Sequence, residues 1–510
     1  MELSVIDYNF YLSNFINSIK QVYIPTKEEI IFKEILIYNQ LFNDDNIVVS
    51  HQPNLFYPGT FIKFVYLFRT NFKNKLIIFN DSDKFFINIL NKPWELGIPY
   101  EKLSLKYIKE FIDYYCNFLK EINFKFGIYF KREDFKDNIL YFINLFSSIN
   151  LKDIFSFSDF IYFVINKYFE FFNKGFEIKF KTVSEISKTD EFKHFFVNYV
   201  LNYRDLNILY NEAVDILYSN NIRTVRKIEL YELPFWFISN EGFRNTLYIK
   251  DNDIFYLEGN QRVYIDIKDD KIMSLIRPKA VVWAAFRRIY FSNIDILGIG
   301  SSYYTFVSDY LLFNYYLKYI KSLKLKKTDI ITTTLYPLDY NLITDLGLLL
   351  DNILSVINGI LSTLEYNIEN LPKVFQKLNS LFQNLPNFLI NEFNDLFSKT
   401  KFYIDLISSK INSENSKELI SYKRELIGKI SDPANRKIKR EIAKELEKVN
   451  KSIKDLLRED INNLRELVLE LNKKVLVIKG NVLDLSTRYW PFFIFSLDDY
   501  LNVIKDTNLF

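Results

Sequence analysis

The chain has a single cysteine in 510 residues, Cys116. That excludes an intramolecular disulfide framework and any site built on several thiolates. Cys116 falls in FIDYYCNFL, an aromatic stretch of helical period, where a buried and inert thiol is expected. Histidine is almost as scarce: His51 and His194 are the only two, so no zinc site is expected. Net charge is also lacking, since 66 Lys plus Arg against 63 Asp plus Glu leave +3. Without a concentrated basic face, nucleic acid is not an expected partner. No uncharged apolar run reaches about 18 residues, the length that spans a bilayer. The nearest, LGLLLDNILSVINGIL (346–361), is interrupted by Asp351, Asn352 and Asn358. The opening MELSVIDYNF has no basic region ahead of an apolar one, so no secretory signal is expected. Together these absences predict a cytoplasmic protein with no membrane partner. Glycine is sparse too, at 12, so each one is expected to answer a backbone need.

What is abundant is aromatic. Phe and Tyr number 50 and 36, and the accompanying excess of Ile, Asn and Lys has the look of A/T-rich coding. The aromatic stripes are therefore assigned to core packing, not to base stacking. A chain this long is expected to form about two to four structural units.

The most informative stretch is IVVSHQPNLFYPGTFIK (47–63). Its β-branched run, polar turn and Pro58 at the start of an apolar-periodic segment predict strand, turn and helix. KLIIFNDSD (75–83) predicts a second strand with carboxylates at its end, making a βαβ unit and hence a parallel sheet. Residues 1–46 read as helix broken at Pro25, and Tyr100 to about Leu217 as a long helical region. Residues 228–257 alternate, with turns at Asn240-Glu241-Gly242 and Asp251-Asn252-Asp253, and predict antiparallel strands. Arg277-Pro278 is expected to open a helix over 279–292. Next come a strand, IDIL, the turn Gly298-Ile299-Gly300-Ser301-Ser302, another helix, and an extended piece over 332–340.

From 342 to 475 the period is helical almost throughout. Ile442, Leu446, Val449, Ile453 and Leu456, then after one slip Ile461, Leu464, Val468, Leu471 and Val475, form a heptad seam sheathed in charge. One helix over 434–473, about 60 Å long, is expected, with helices 374–411 and 414–430 folded back on it and surface left for a second subunit. The expected layout is residues 1–99 as the first part of the core, 100–227 as a helical insert, and 228–341 as a β-rich edge and the second part of the core. Residues 342–475 form the coiled-coil domain, and 476–510 return to the core.

Three segments, HQPNLFYPGTFIK (51–63), FNDSDKF (79–85) and RPKAVVWAAFRRIYFSNIDILGIGSSYYTFVSDYL (277–311), resemble motifs of the bacillithiol synthase superfamily of cysteine ligases, in a divergent branch. The resemblance implies a fold also reached from the order of elements: α/β, a Rossmann-like parallel-sheet core with helical inserts and a C-terminal α-helical coiled-coil hairpin that makes a homodimer. In that family the first motif begins Gln-Gln-Pro-Gly and the second is Glu-Asp-His-Asp-Phe. The third ends Gly-Pro-Gly-Glu-x-x-Tyr. Here His51 replaces the first glutamine, Asn54 a glycine, and Ser301 the glutamate, while Asp81, Asp83, Gly298, Gly300 and Tyr304 match. A preserved frame with altered acids and bases implies a different acceptor or a lost reaction.

Strand ends in an open α/β sheet are where ligands sit. His51 is accordingly a candidate acid/base, against the plainer reading of a turn histidine. His194 is assigned to the core or its boundary. Asp81 and Asp83 are candidate catalytic carboxylates that could hold a ribose hydroxyl, a substrate ammonium or Mg²⁺, against solvated turn residues. One of the two is expected in that role and not both, since residues i and i+2 need not point the same way. Gln52, Lys63, Asn80, Arg277, Gly298, Gly300, Ser301, Ser302 and Tyr304 are candidates for substrate or nucleotide binding, with Arg277 and the 298–302 turn holding an anion. The expected function is a ligase-like enzyme joining an amine or amino acid to a small anionic or sugar-bearing acceptor. ATP or ADP would occupy the crevice if activation is required. The alternative is a non-catalytic nucleotide- or metabolite-binding protein with a coiled-coil interaction domain.

Overall fold

The computed structural model describes residues 46–54, 57–89, 92–126, 133–219, 222–292, 294–316, 327–330, 340–432, 435–485 and 490–505. The helices expected over 1–46 lie outside these residues except at Asn46, and the extended piece over 332–340 except at Tyr340. The chain divides into two compact units, 1–124, 132–337 and 488–510 in one and 125–131 and 338–487 in the other.

The first unit is mixed α/β. Strand β1 (Asn46–His51) leads through helix Pro58–Arg69 to β2 (Asn74–Phe79), and a hairpin of β3 (Lys84–Ile89) and β4 (Lys92–Pro99) follows. Helices Leu105–Phe126, Glu133–Ser148 and Phe157–Phe171 precede the short β5 (Lys179–Thr182). Helices Asp190–Leu201 and Tyr203–Ser219 lead to β6 (Glu232–Ile238), β7 (Arg244–Lys250), β8 (Asp253–Glu258), β9 (Gln261–Ile265) and β10 (Ile276–Pro278). Helix Ala280–Tyr290, β11 (Ile294–Leu297), helix Ile299–Leu311 and β12 (Lys327–Ile330) follow, and helix Leu497–Lys505 returns to this unit.

Five strands form a parallel sheet in the order β12-β11-β1-β2-β5. The chain steps outward from β1 to β5, then returns to the far side of β1, so the direction reverses between β1 and β11. Ile47, Val48 and Val49 have no solvent exposure, as expected of a central strand covered on both faces. Val48 and Ile78 join a cluster with Phe192, Phe196, Trp283, Phe286 and Phe306. Strand alternation turns Ile47, Val49 and Ile77 to the other face, where helix Pro58–Arg69 packs on β1. That helix is buried along Pro58 to Leu67, and the Phe61 ring lies 4.0 Å from that of Phe492 and 4.9 Å from that of Tyr168.

The second sheet is antiparallel, in the order β10-β6-β7-β8-β9. Its turns fall where the sequence placed them: Gly242 has φ +88°, and Asp251 and Asn252 have φ of 53° and 71°, the two left-handed residues of a two-residue hairpin. Three expectations change here. β5 lies inside the stretch expected to be a helical insert, yet pairs with β2 in the main sheet. β3 and β4 form a hairpin that was not foreseen. Arg277 and Pro278 belong to β10, paired to Trp236 and Phe235, and the helix begins only at Ala280.

The second unit contains helices Tyr340–Tyr366, Leu371–Gln383, Asn387–Ile411, Glu414–Ser431, Lys439–Leu456 and Arg458–Leu485. The single helix expected over 434–473 is broken at Leu457, with φ −114° and ψ 10°. The break coincides with the slip in the heptads. A continuous helix would carry its seam off line there, whereas the break buries Leu457 and leaves Leu456 56% exposed. Ile461, Leu464, Val468, Leu471 and Val475 are buried as Arg458–Leu485 packs on Tyr340–Tyr366 and Asn387–Ile411. The seam is thus filled within the chain. Among the described residues, one helix, Leu342–Tyr366, is long and apolar enough to cross a membrane. Its Leu346, Leu350, Ile353, Ile357 and Ile360 are buried against neighbouring helices.

Candidate functional site

β1 ends at His51 and β11 at Leu297, side by side where the strand order reverses. Three helices begin there: Pro58–Arg69 after Tyr57, Ala280–Tyr290 after Lys279, and Ile299–Leu311 after Gly298. None of the three N-caps makes a side-chain capping bond, and none has an acidic residue in its first turn. Each start therefore presents unneutralised N–H groups, equivalent to roughly half a positive charge. All three contribute to the lining of one cavity of about 870 Å³, through Gly59 and Thr60, Lys279 and Ala280, and Gly298 and Ser301.

The side chains add to that charge. Lys63, Arg226, Arg244, Lys279 and Arg287 line the cavity, with Asp83 as the one carboxylate among the described lining residues. Behind the wall, Arg287 Nε donates to Asp295 Oδ2 at 3.1 Å. Arg226 Nη1 and Lys279 Nζ donate to Glu232 at 3.0 and 2.7 Å, and Arg244 Nη1 donates to Asp83 Oδ1 at 3.3 Å. Among the described residues, three carboxylates thus serve five cations. Lys63 is 2% exposed and finds no hydrogen-bond acceptor among the described residues. Burial first, and the Arg287 guanidinium second, push its ammonium down to about 7 against the pull of Asp295. Burial likewise lowers Lys279 to about 8, against the attraction of Glu232. His51 is pushed well below the ordinary imidazole value by burial and then by Lys63, opposed by its bond to the Gln52 carbonyl. That carbonyl only accepts, so the proton is on Nδ1, 3.1 Å away. The neutral ring then carries its lone pair on Nε2.

His51, Gln52, Lys63, Asn80, Asp83, Gly298, Ser301 and Tyr304 all line this cavity. Asp83 Oδ2 accepts from Gln52 Nε2 at 3.0 Å and Asn80 Nδ2 at 2.8 Å, and Ser82 Oγ donates to Asn80 Oδ1 at 2.8 Å. Trp283 Nε1 donates to Ser50 Oγ at 3.1 Å and ties the Ala280–Tyr290 helix to the end of β1.

Asp81 and Arg277 are not among the lining residues. Asp81 turns to Ser184, accepting from its N at 2.9 Å and also from its Oγ. Burial, then Glu101, raises its carboxyl to about 7. Arg277 pairs with Glu101 at 2.9 Å and donates to the Ser274 and Ile276 carbonyls, so its charge is spent inside the fold. Gly300 and Ser302 lie in the first turn of Ile299–Leu311. Gly298 has φ −94°, and a Cβ there would sit 3.9 Å from Lys63 Nζ, an ordinary contact. The backbone need expected of this glycine is absent. His194 is exposed on helix Asp190–Leu201, not in the core. Cys116 is buried, its Sγ 3.2 Å from Ser147 Oγ.

Sequence reasoning missed Arg226, Trp236, Arg244, Lys279 and Arg287. Lys279 and Arg287 lie within the 277–311 motif, one immediately before its first helix and one within it. Trp236 is the one half-buried residue of an otherwise buried strand. Among the described residues no His, Cys, Asp and Glu cluster suits a metal ion. No family model matches the sequence, and neither does any curated protein.

Proposed function

We propose that the cavity binds an anionic small molecule and that the protein is a ligase-like enzyme joining an amine, such as that of an amino acid, to it. The observation that carries this reading is the meeting of three uncapped helix starts with five cationic side chains at the reversal point of a parallel sheet. Helix starts of this kind bind phosphate or carboxylate, and open α/β sheets bind ligands at such a point. The strand order supports a Rossmann-like core, and the motifs that resemble cysteine ligases contribute Lys63, Asp83 and Gly298 to the cavity.

In the proposed reaction ATP first phosphorylates the acceptor's carboxylate, releasing ADP. The amine then forms the C–N bond as the C–O bond to that phosphoryl group breaks and phosphate leaves. The nitrogen's proton goes to His51 Nε2, and the leaving oxygen is neutralised by Lys63 and Arg287. Asp83, already oriented by Gln52 and Asn80, holds the amine. A nucleotide, ATP or ADP, would place its phosphates at the helix starts. A cytoplasmic location and a homodimer through the C-terminal helices belong to the same proposal.

The test incubates the full-length protein with ATP, amino acids and a panel of small carboxylic and aminosugar acids. Mass spectrometry then looks for a condensation product. His51→Ala is expected to lose turnover while keeping ligand affinity within a few-fold. Binding without any product in the wild-type protein would instead leave a metabolite-binding protein.

A further inference from the structure

The charges around the cavity fall into two groups. Beside the start of Ile299–Leu311, Arg287 pairs with Asp295, whose charge also attracts Lys63. On the wall contributed by the antiparallel sheet, Arg226, Arg244 and Lys279 share Asp83 and Glu232. With Lys63 protonated, each group is one positive charge in excess among the described residues. The second group is organised around Trp236, whose ring centroid lies 4.3 Å from Arg244 Cζ and 4.2 Å from Lys279 Nζ. Cations already occupy the indole, so it serves them and not a stacked base. Arg244 Nη1 is engaged by Asp83, while its buried Nε has no hydrogen-bond acceptor among the described residues.

The two groups suit different anions. A buried ammonium beside helix N–H groups offers donors from several directions, which matches the tetrahedral array of oxygens on a phosphate. A planar guanidinium held against an aromatic ring matches the two oxygens of a carboxylate. We infer that Arg244 and Lys279 on Trp236 form a second anion subsite and that the cavity takes a phosphorylated carboxylic acid. Its phosphate lies at Lys63 and Arg287, and its carboxylate lies at Arg244. This deepens the proposed anion-binding function and rests on it.

Isothermal titration of the full-length protein tests the inference with phosphonoacetate and its two next longer homologues, against ethylphosphonate and propylphosphonate. At least one phosphonocarboxylate should bind about tenfold more tightly than the alkylphosphonates. Arg244→Gln should remove that gain, weakening the phosphonocarboxylates several-fold more than ethylphosphonate, and Arg244→Lys should restore part of the gain. If Arg244→Gln does not fold, Lys279→Gln replaces it, and the comparison of ligands on the wild-type protein needs no variant. Phosphonocarboxylates that bind no better than ethylphosphonate would overturn the second subsite alone. A gain that survives Arg244→Gln would do the same. Failure of every phosphonate to bind would overturn the anion-binding reading as well.

Discussion

An ammonium folded into a recess beside a guanidinium and a helix start costs stability, and Lys63 makes that cost measurable. In the folded protein it binds its proton at about 7, against 10.5 ordinarily. Between those values the unfolded chain keeps the proton and the folded one does not. The contribution of Lys63 to stability therefore rises with pH, by at most about 1.4 kcal/mol per unit. Below about 7 both states hold the proton, and the contribution is flat at its least favourable. Lys63→Met should accordingly stabilise the unliganded protein most at and below neutral pH, with the gap closing toward pH 10.5 in denaturant titrations. Asp81 has the opposite sign. Its carboxyl titrates at about 7 folded and 3.8 ordinarily, so the folded state holds an extra proton between those values and loses stability as pH rises through them. Asp81→Asn keeps an acceptor for Ser184 N without the charge, so its stability relative to wild type should rise from pH 3.8 to 7.

These residues also show how far the sequence could be read. His51, Gln52, Lys63 and Asp83 were legible because a short apolar run, a polar turn and a proline mark a strand end and helix start locally. Between Asp81 and Asp83 the local pattern had no way to choose. The choice is made by Ser184, about a hundred residues on, and by the partners Gln52 and Arg244. Arg277 had looked like an anion ligand for its motif, but Glu101 claims it.

At the level of elements, long periodic segments announced themselves and short ones did not. β5 is Lys-Phe-Lys-Thr, too short and too polar to stand out, and becomes a strand because β2 offers it an edge. The five cations came from segments far apart in the chain, so no single window contained their meeting. In the helical unit, the heptad pattern placed most of the seam but not Leu456, which is exposed, nor the break at Leu457. That break makes a differential prediction. Leu464→Ala, at a position with no solvent exposure, should cost about 2–5 kcal/mol in chemical denaturation. Leu456→Ala, at a position of the same expected seam, should stay within about 0.5 kcal/mol. Equal losses would mean that one continuous seam is buried after all.

For the whole molecule, the division into two compact units predicts two separable responses in calorimetry of the full-length chain. Leu464→Ala should lower one transition, and an anionic ligand should raise the other, by about 2.7 kcal/mol at a hundredfold excess over its dissociation constant. A ligand that raised only the transition lowered by Leu464→Ala would place its site in the helical unit.

The most direct test of the central claim is titration of inorganic sulfate, whose charge is constant above about pH 3, into the full-length protein and its Lys63→Met variant. At constant ionic strength, the wild-type protein should bind sulfate saturably below pH 7 and progressively more weakly as Lys63 loses its proton above it. Lys63→Met should bind weakly at every pH and lose the fall that sets in at about 7, keeping only the smaller one that follows Lys279 at about 8. Saturable binding that is indifferent both to pH and to Lys63→Met, or no binding at all, would contradict an anion site at the ends of β1 and β11.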